Sequence, residues 1–154
     1  MLRNLTVQNY ALISRLEIGF DGGLSIISGE TGAGKSILLG ALSLVLGQRA
    51  DTSVLYNKDQ KCVVEGSFDI ASYGLESFFR ENQIDYEPVA LIRREINNQG
   101  KSRAFVNDTP VGLQVLKDLG QKLVDIHSQH QTLMLGDNRF QLEVLDAFGG
   151  LYGD

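Results

Sequence analysis

The chain has 154 residues, of which 43% are hydrophobic and 21% charged, and this is enough for one domain with its own core. No apolar run approaches the roughly 20 residues that cross a bilayer, and the N-terminus lacks the basic-then-apolar order of a signal peptide. The net charge of −5 argues against strong nucleic-acid binding by this segment alone. Its single cysteine, Cys62, excludes a disulfide framework and a Cys/His metal cluster, so a reducing cytoplasm is expected.

The first elements are predicted to be two strands. Apolar and polar residues alternate on both sides of residues 9–12, which is typical of a half-buried antiparallel pair. A turn at 21–23 leads to the apolar run 24–28, which predicts a buried strand. A helix is expected from about Lys35 to Leu46, ended by Gly47 in the position where helices favour glycine.

The second half is predicted to continue with strands and then helices. After a polar loop at 48–61, a strand is expected at 61–70 and a short helix at 73–82, with Ser72 as its N-cap. Two further strands, joined by a turn containing Gly100, form a hairpin. The remaining predictions follow in chain order: strands Val89–Ile96 and Ser102–Val106, a helix from Pro110 to about Leu123, a short strand at 124–127, a polar loop at 128–131 and a last helix at 139–148.

The segment 29–36 reads GETGAGKS and fits the phosphate-binding loop pattern G-x-x-x-x-G-K-[ST] at every fixed position. Glycines let the backbone turn its N–H groups toward phosphate oxygens, and the following helix adds the positive end of its dipole. Lys35 is expected to reach the β and γ phosphates, and the Ser36 hydroxyl to bind magnesium. The candidate nucleotide-binding residues are Gly29, Glu30, Thr31, Gly32, Ala33, Gly34, Lys35, Ser36 and Ile37.

Hydrolysis of a triphosphate also needs an acidic residue at the end of an apolar strand, and the sequence offers no such run followed by Asp-Glu. The nearest segments, 123–125 and 144–146, are too short and are explained by ordinary strand and helix patterning. The catalytic half of the site is therefore expected elsewhere, in a longer polypeptide or in a second subunit.

Basic residues concentrate on the predicted hairpin, at Arg93, Arg94, Lys101 and Arg103. Such a cluster is more often a solvated strand face than a nucleic-acid site, but it is the one candidate DNA surface in this sequence. His127 and His130 lack a third metal ligand, and a structural or loop role is favoured for both.

Five segments in order resemble the N-terminal half of the head domain of bacterial RecN, a DNA-repair ATPase family related to the structural-maintenance-of-chromosomes (SMC) proteins. They are LTVQNYALI at 5–13, GETGAGKSIL at 29–38, LGQRAD at 46–51, KSRAFVND at 101–108 and DIHSQHQ at 125–131. The resemblance runs over nearly the whole chain, and the ordered set is far more specific than the phosphate loop alone.

The resemblance implies an α/β P-loop NTPase fold: an ABC/SMC-like head lobe with a mixed sheet around the P-loop helix and an antiparallel β subdomain. It implies ATP and Mg²⁺ as cofactors, and catalysis by Lys35 together with Gln129, the glutamine of a loop that senses magnesium and the attacking water. Ser128 and Gln131 depart from the family's glycine and acid in that loop. Arg49 corresponds to a loop arginine near nucleotide or DNA, although a plain surface arginine is an equal alternative.

The same resemblance implies which partners complete the head. They are the C-terminal half of the same head, carrying the signature and acidic motifs beyond a coiled coil, a second head in a homodimer, and DNA, with no membrane. Two other functions stay open, a P-loop kinase acting on a small acceptor and a nucleotide-gated interaction module that does not hydrolyse. No residue separates ATP from GTP.

Overall fold

A computed structural model describes residues 1–28, 32–50 and 52–126. Met1–Val124 forms one compact unit, and from Asp125 onward the chain belongs to a second unit. The predicted loop 128–131 and the last helix at 139–148 lie outside the described residues, as do His127, Gln129 and His130.

One antiparallel sheet with three helices makes up the described fold. The sheet has six strands in the order β2-β1-β3-β4-β5-β6, and every pairing among them is antiparallel. The elements in chain order are β1 Leu2–Tyr10, β2 Ile13–Gly19, α1 Gly32–Val45, β3 Cys62–Asp69, α2 Glu76–Glu81, β4 Val89–Ile96, β5 Ser102–Val106, β6 Thr109–Val111 and α3 Leu113–Leu123. A short 3-10 turn, Thr52–Val54, lies in the loop after α1.

The core lies on one face of this sheet. Alternate residues of the central strands are buried there, and the helices contribute their own apolar stripes. The alternation seen in the sequence therefore predicted β1 to β5 correctly. The largest fully buried side chains include Leu5, Phe68, Ile92, Leu116 and Leu119.

Two glycines let α1 approach the sheet closely. A Cβ built on Gly40 would lie 2.4 Å from the Tyr10 hydroxyl, and one on Gly66 would lie 2.8 Å from the Phe68 ring and 3.4 Å from Val45. A side chain at either position would displace the Tyr10 hydroxyl or the Phe68 ring, and the helix that follows the phosphate loop packs against β1 and β3.

The end of α1 is closed by Gly47, as predicted. Gly47 has φ +92°, and the N–H groups of Gly47 and Gln48 donate to the carbonyls of Leu44 (3.2 Å) and Ser43 (3.0 Å). These two bonds form a Schellman motif, which satisfies carbonyls that the helix end leaves open. A Cβ on Gly47 would lie 2.6 Å from the Lys117 Cα, so α3 packs against this turn.

The starts of all three helices were predicted wrongly, and that of α1 lies at Gly32, three residues before Lys35. Helix α2 begins at Glu76 with Leu75 at its N-cap, because the chain first turns through Gly74, which has φ +63°. Ser72 is therefore not the cap. Helix α3 begins after Gly112, and the residues expected to open it form the edge strand β6.

A two-residue turn explains β6. Asn107 and Asp108 both have positive φ, at 46° and 61°, which matches the twist of a tight hairpin. Pro110 then lies opposite Phe105 on an edge strand, where its missing N–H costs no ladder bond. Residues 124–126 are not a strand, and among the strands that the structure describes none pairs with them.

Candidate nucleotide-binding site

The phosphate loop leads into the open N-terminus of α1. The helix has 14 residues and begins at Gly32, inside the loop motif itself. Gly34, Lys35 and Ser36 are exposed in its first turns, and Ile37 is half-buried. The first backbone N–H groups of a helix have no intrahelical acceptor and lie at the positive end of its dipole. This end of α1 can therefore bind an anion.

The structure brings only part of the predicted site together. Gly32 to Ile37 follow one another along the start of α1. Gly29, Glu30 and Thr31 lie outside the described residues, as does the proposed sensor Gln129. Their roles in binding nucleotide and magnesium remain predictions.

The strand expected before the loop is absent from the described sheet, and this prediction was wrong. Residues 24–28 pair with none of the six strands. Leu24 is 90% exposed, Ile26 82% and Ile27 47%. Such an apolar run is typical of a strand buried on both faces. Without a neighbouring strand among residues 1–28, 32–50 and 52–126, it has no ladder to join.

A buried asparagine holds the loop that follows α1. Asn9 is 4% exposed with φ 54°, and its Nδ2 donates to the carbonyls of Asn57 (2.9 Å) and Gln60 (2.8 Å). The Asn57 N–H donates back to Asn9 Oδ1 at 2.6 Å. Asparagine tolerates this backbone region better than most residues. This role of Asn9 was not predicted, and its one signal in the sequence is the Asn-Tyr-Ala break in the alternation of apolar and polar residues.

Arg49 is exposed two residues after the Schellman turn at Gly47. The Schellman hydrogen bonds at Gly47 determine how the chain leaves α1 toward Arg49. Both roles considered for Arg49 stay predictions.

The basic cluster predicted on the hairpin does not exist as one surface. Arg93 faces three carboxylates, those of Glu65 (3.9 Å), Glu95 (3.5 Å) and Asp108 (3.2 Å), and lies over the Phe105 ring at 4.6 Å. Its charge is therefore compensated locally.

Arg94 is on the opposite face of the strand and only 3% exposed, because successive strand residues alternate between faces. Lys101 and Arg103 remain exposed, and with Lys61, Glu95 and Asn97 they line a small cavity of about 260 Å³. Lys101 and Arg103 near the tip of the hairpin, with Lys61 beside them before β3, thus replace the four cations predicted along it, and Lys61 is paired with Glu95 at 3.1 Å.

Two absences hold for the part of the chain that the structure describes. No group of three or more His, Cys, Asp or Glu side chains lies together there to bind a metal ion. Nor is any helix there long and apolar enough to cross a bilayer.

The family model for the AAA domain matches residues 4–148. The chain belongs to the AAA domain family. The chain is 38% identical to DNA repair protein RecN of Haemophilus influenzae over 152 aligned residues. The alignment covers 96% of this chain and 27% of the relative. RecN of Bacillus subtilis is 36% identical, over 97% and 26% of the two chains. The resemblance inferred from the motifs is confirmed, and the chain spans about a quarter of the length of these curated relatives.

Solved structures support the fold of this AAA domain. An SMC ATPase, described for its ATP-driven dimerisation and DNA-stimulated activation, superposes with a TM-score of 0.63 at 18% identity, over 95% of this chain and 97% of its own. The SMC head domain of Thermotoga maritima gives 0.56 at 18% identity, over 77% and 41%. The α/β head fold predicted from the sequence is confirmed.

Proposed function

We propose that this chain is the N-terminal part of an ATPase head that binds Mg-ATP and acts in DNA double-strand-break repair and recombination. The observation that carries the proposal is the phosphate-loop motif running into the exposed N-terminus of α1, with Lys35 and Ser36 in its first turns. The kinship with RecN supplies the biological process. Gly29 to Ile37 would surround the phosphates, and Ser36 would bind the magnesium ion.

Nucleotide binding can be tested directly on this chain. Titration with a fluorescent ATP analogue in Mg²⁺ should give saturable binding that Lys35→Ala weakens by at least tenfold. Lys58→Ala, an exposed lysine in the loop after α1, removes the same charge and should bind as the parent does. Equal affinity of the two variants would contradict the proposal. Competition by unlabelled GTP decides the nucleotide preference.

Hydrolysis is proposed to need the C-terminal half of the head. This chain alone should release negligible phosphate, and adding the C-terminal half of a RecN-type head should start turnover. Gln129→Ala in the assembled head should then lower kcat far more than nucleotide affinity, because orienting water matters mainly in the transition state. Turnover by this chain alone that Lys35→Ala abolishes would refute the split site. Phosphate transfer to a small acceptor would favour a kinase instead.

The exposed apolar segment supports the same partner. Leu24 and Ile26 are more than four-fifths exposed beside the phosphate loop, and we propose that residues 24–28 become a strand when the C-terminal half pairs with them. Burying one such side chain contributes about 1.5 to 3 kcal/mol. Ile26→Ser should therefore weaken association of the halves roughly 10- to 100-fold. Leu12→Ser, in an exposed turn with 75% exposure, is the matched control and should change nothing.

A second head is the further partner of this proposal. ATP-dependent engagement of two assembled heads should appear as a nucleotide-dependent dimer in sedimentation. Lys35→Ala should abolish it.

DNA contact by this part of the head should be weak. The net charge of the chain is −5, and the cations grouped near the hairpin tip in the described residues are Lys101, Arg103 and the neighbouring Lys61, which is paired with Glu95. The slope of log affinity against log salt counts neutralised phosphates at roughly 0.9 each. Reversing these three charges should reduce that slope by up to about 3. Arg15→Glu, on β2 at the other edge of the sheet, should leave it unchanged. Nanomolar affinity at physiological salt would contradict the expectation.

A further inference from the structure

A second cavity, of about 510 Å³, opens where the chain leaves the sheet to begin α3. Strand β6 pairs with β5 only from Val106 to Ala104. Beyond that point Gly112 and Leu113 diverge from Ser102 and Arg103, and the gap between them is the cavity. Its volume lies within the range of about 300 to 1,000 Å³ found for small-molecule sites.

Arg94 lies in this cavity and is the unusual residue of the core face. It is 3% exposed, and its Nε donates to the Ser102 hydroxyl at 2.6 Å. Among residues 1–28, 32–50 and 52–126 no carboxylate pairs with it, whereas its neighbour Arg93 faces three. Burial lowers the pKa of the Arg94 guanidinium. A desolvated cation with one neutral partner is costly unless an anion compensates it.

The geometry of the guanidinium limits the anion. Nε is occupied by Ser102, so the two terminal nitrogens, Nη1 and Nη2, carry the donors left for a ligand. Their planar arrangement suits two oxygens of one oxyanion, and such charge-assisted bonds are about twice as strong as neutral ones.

The N-terminus of α3 adds to the positive potential of the cavity. The N-cap residue is Gly112, which makes no side-chain cap hydrogen bond, and the helix has 11 residues. Its first N–H groups are thus available at the positive end of the dipole. Arg103 also borders the cavity, but it pairs with Glu95 on the opposite face of the sheet, so Arg94 is the cation on the face of the cavity.

The apolar lining on the face of Arg94 comes from Ala104 and Val111, which lie opposite each other on β5 and β6, and from Leu113 at the start of α3. A phosphate, with its larger charge and strong hydration, would leave this surface unused. A carboxylate with hydrocarbon beside it would meet the guanidinium at one end and the apolar side chains at the other.

We propose that the Arg94 cavity is a binding site for a carboxylate carried on an apolar body. The source is either a free aliphatic carboxylate or an acidic side chain flanked by apolar residues in a peptide, and both present the same chemistry. The site is separate from the phosphate loop in sequence and needs no nucleotide.

The Nε–Hε signal of Arg94 in a ¹⁵N-labelled chain tests the proposal, assigned by its loss in Arg94→Met. Hexanoate and the peptide acetyl-Leu-Glu-Leu-amide are titrated in parallel, with hexanol and inorganic phosphate as comparisons. Saturable shifts with hexanoate or the peptide, at least fivefold tighter than with phosphate and absent with hexanol, are expected. The tighter of the two identifies the source. Hexanol matching hexanoate, phosphate binding as tightly, or no saturable shift would overturn the proposal.

Two test variants and one control variant keep the result interpretable. Arg94→Met should abolish hexanoate binding measured by calorimetry. Leu113→Trp leaves Arg94 in place but fills the cavity from a position that is 36% exposed, and it should reduce affinity at least tenfold. Arg15→Gln, which removes a distant exposed charge, should not. Unchanged binding by a folded Arg94→Met, or by Leu113→Trp if Arg94→Met fails to fold, would refute the site.

Discussion

The close contact between the end of α1 and α3 predicts a large effect of one methyl group at Gly47. A Cβ there would lie 2.6 Å from the Cα and 2.7 Å from the N of Lys117, which are backbone atoms that cannot rotate away. The overlap should cost about 1 to 3 kcal/mol. The backbone conformation, with φ +92°, adds roughly 1 to 2 kcal/mol for a residue with a side chain. Gly47→Ala should therefore lower the free energy of unfolding by about 2 to 5 kcal/mol.

Substitutions at two other glycines separate the steric contribution from the conformational one. Gly74 has φ +63° but open space around it, so Gly74→Ala should cost only the conformational part, about 1 to 2 kcal/mol. A Cβ on the helical Gly120 would lie 2.5 Å from the Leu46 carbonyl oxygen, and Gly120→Ala should cost about 0 to 2 kcal/mol because alanine regains roughly 1 kcal/mol of helix propensity. Urea unfolding with a constant m-value measures all three. A Gly47→Ala effect no larger than that of Gly74→Ala would refute the role of the contact.

Three further predictions concern other parts of the fold. Burial raises the pKa of the Cys62 thiol to about 11, so a thiol reagent at pH 8 should label the native chain orders of magnitude more slowly than the unfolded chain, and equal rates would contradict its burial. The hydrogen bond from Arg3 lowers the pKa of Asp69. The resulting stabilisation is complete above the unfolded-state pKa of about 3.9 and is lost as pH falls below it. Arg3→Gln should therefore flatten the decline of Tm at acid pH, and an unchanged decline would exclude the pair. Arg94→Met should leave the free energy of unfolding, measured in urea, unchanged or raise it by up to about 4 kcal/mol. A lower free energy of unfolding for this variant would show that the cation already has a stabilising partner.

The candidate site was predicted from the sequence as far as local chemistry specifies it. The phosphate loop needs particular residues at particular spacings, and the helix after it begins within the motif. The predicted strand at 24–28 was wrong because a strand requires a hydrogen-bonded neighbour, and a run of apolar residues does not specify one. Gln129 was assigned by resemblance and stays a prediction.

The sequence by itself determined the elements whose signal is local. The alternation of apolar and polar residues predicted β1 to β5, and Gly47 predicted the end of α1. Both signals are local because the alternation of side chains along a strand and the conformational freedom of glycine involve only a few residues. Tertiary structure decided what depends on neighbours. The two adjacent arginines illustrate this, since strand alternation sends Arg93 to a carboxylate-rich surface and Arg94 into the core face. Which face is buried is settled only when the helices pack on the sheet.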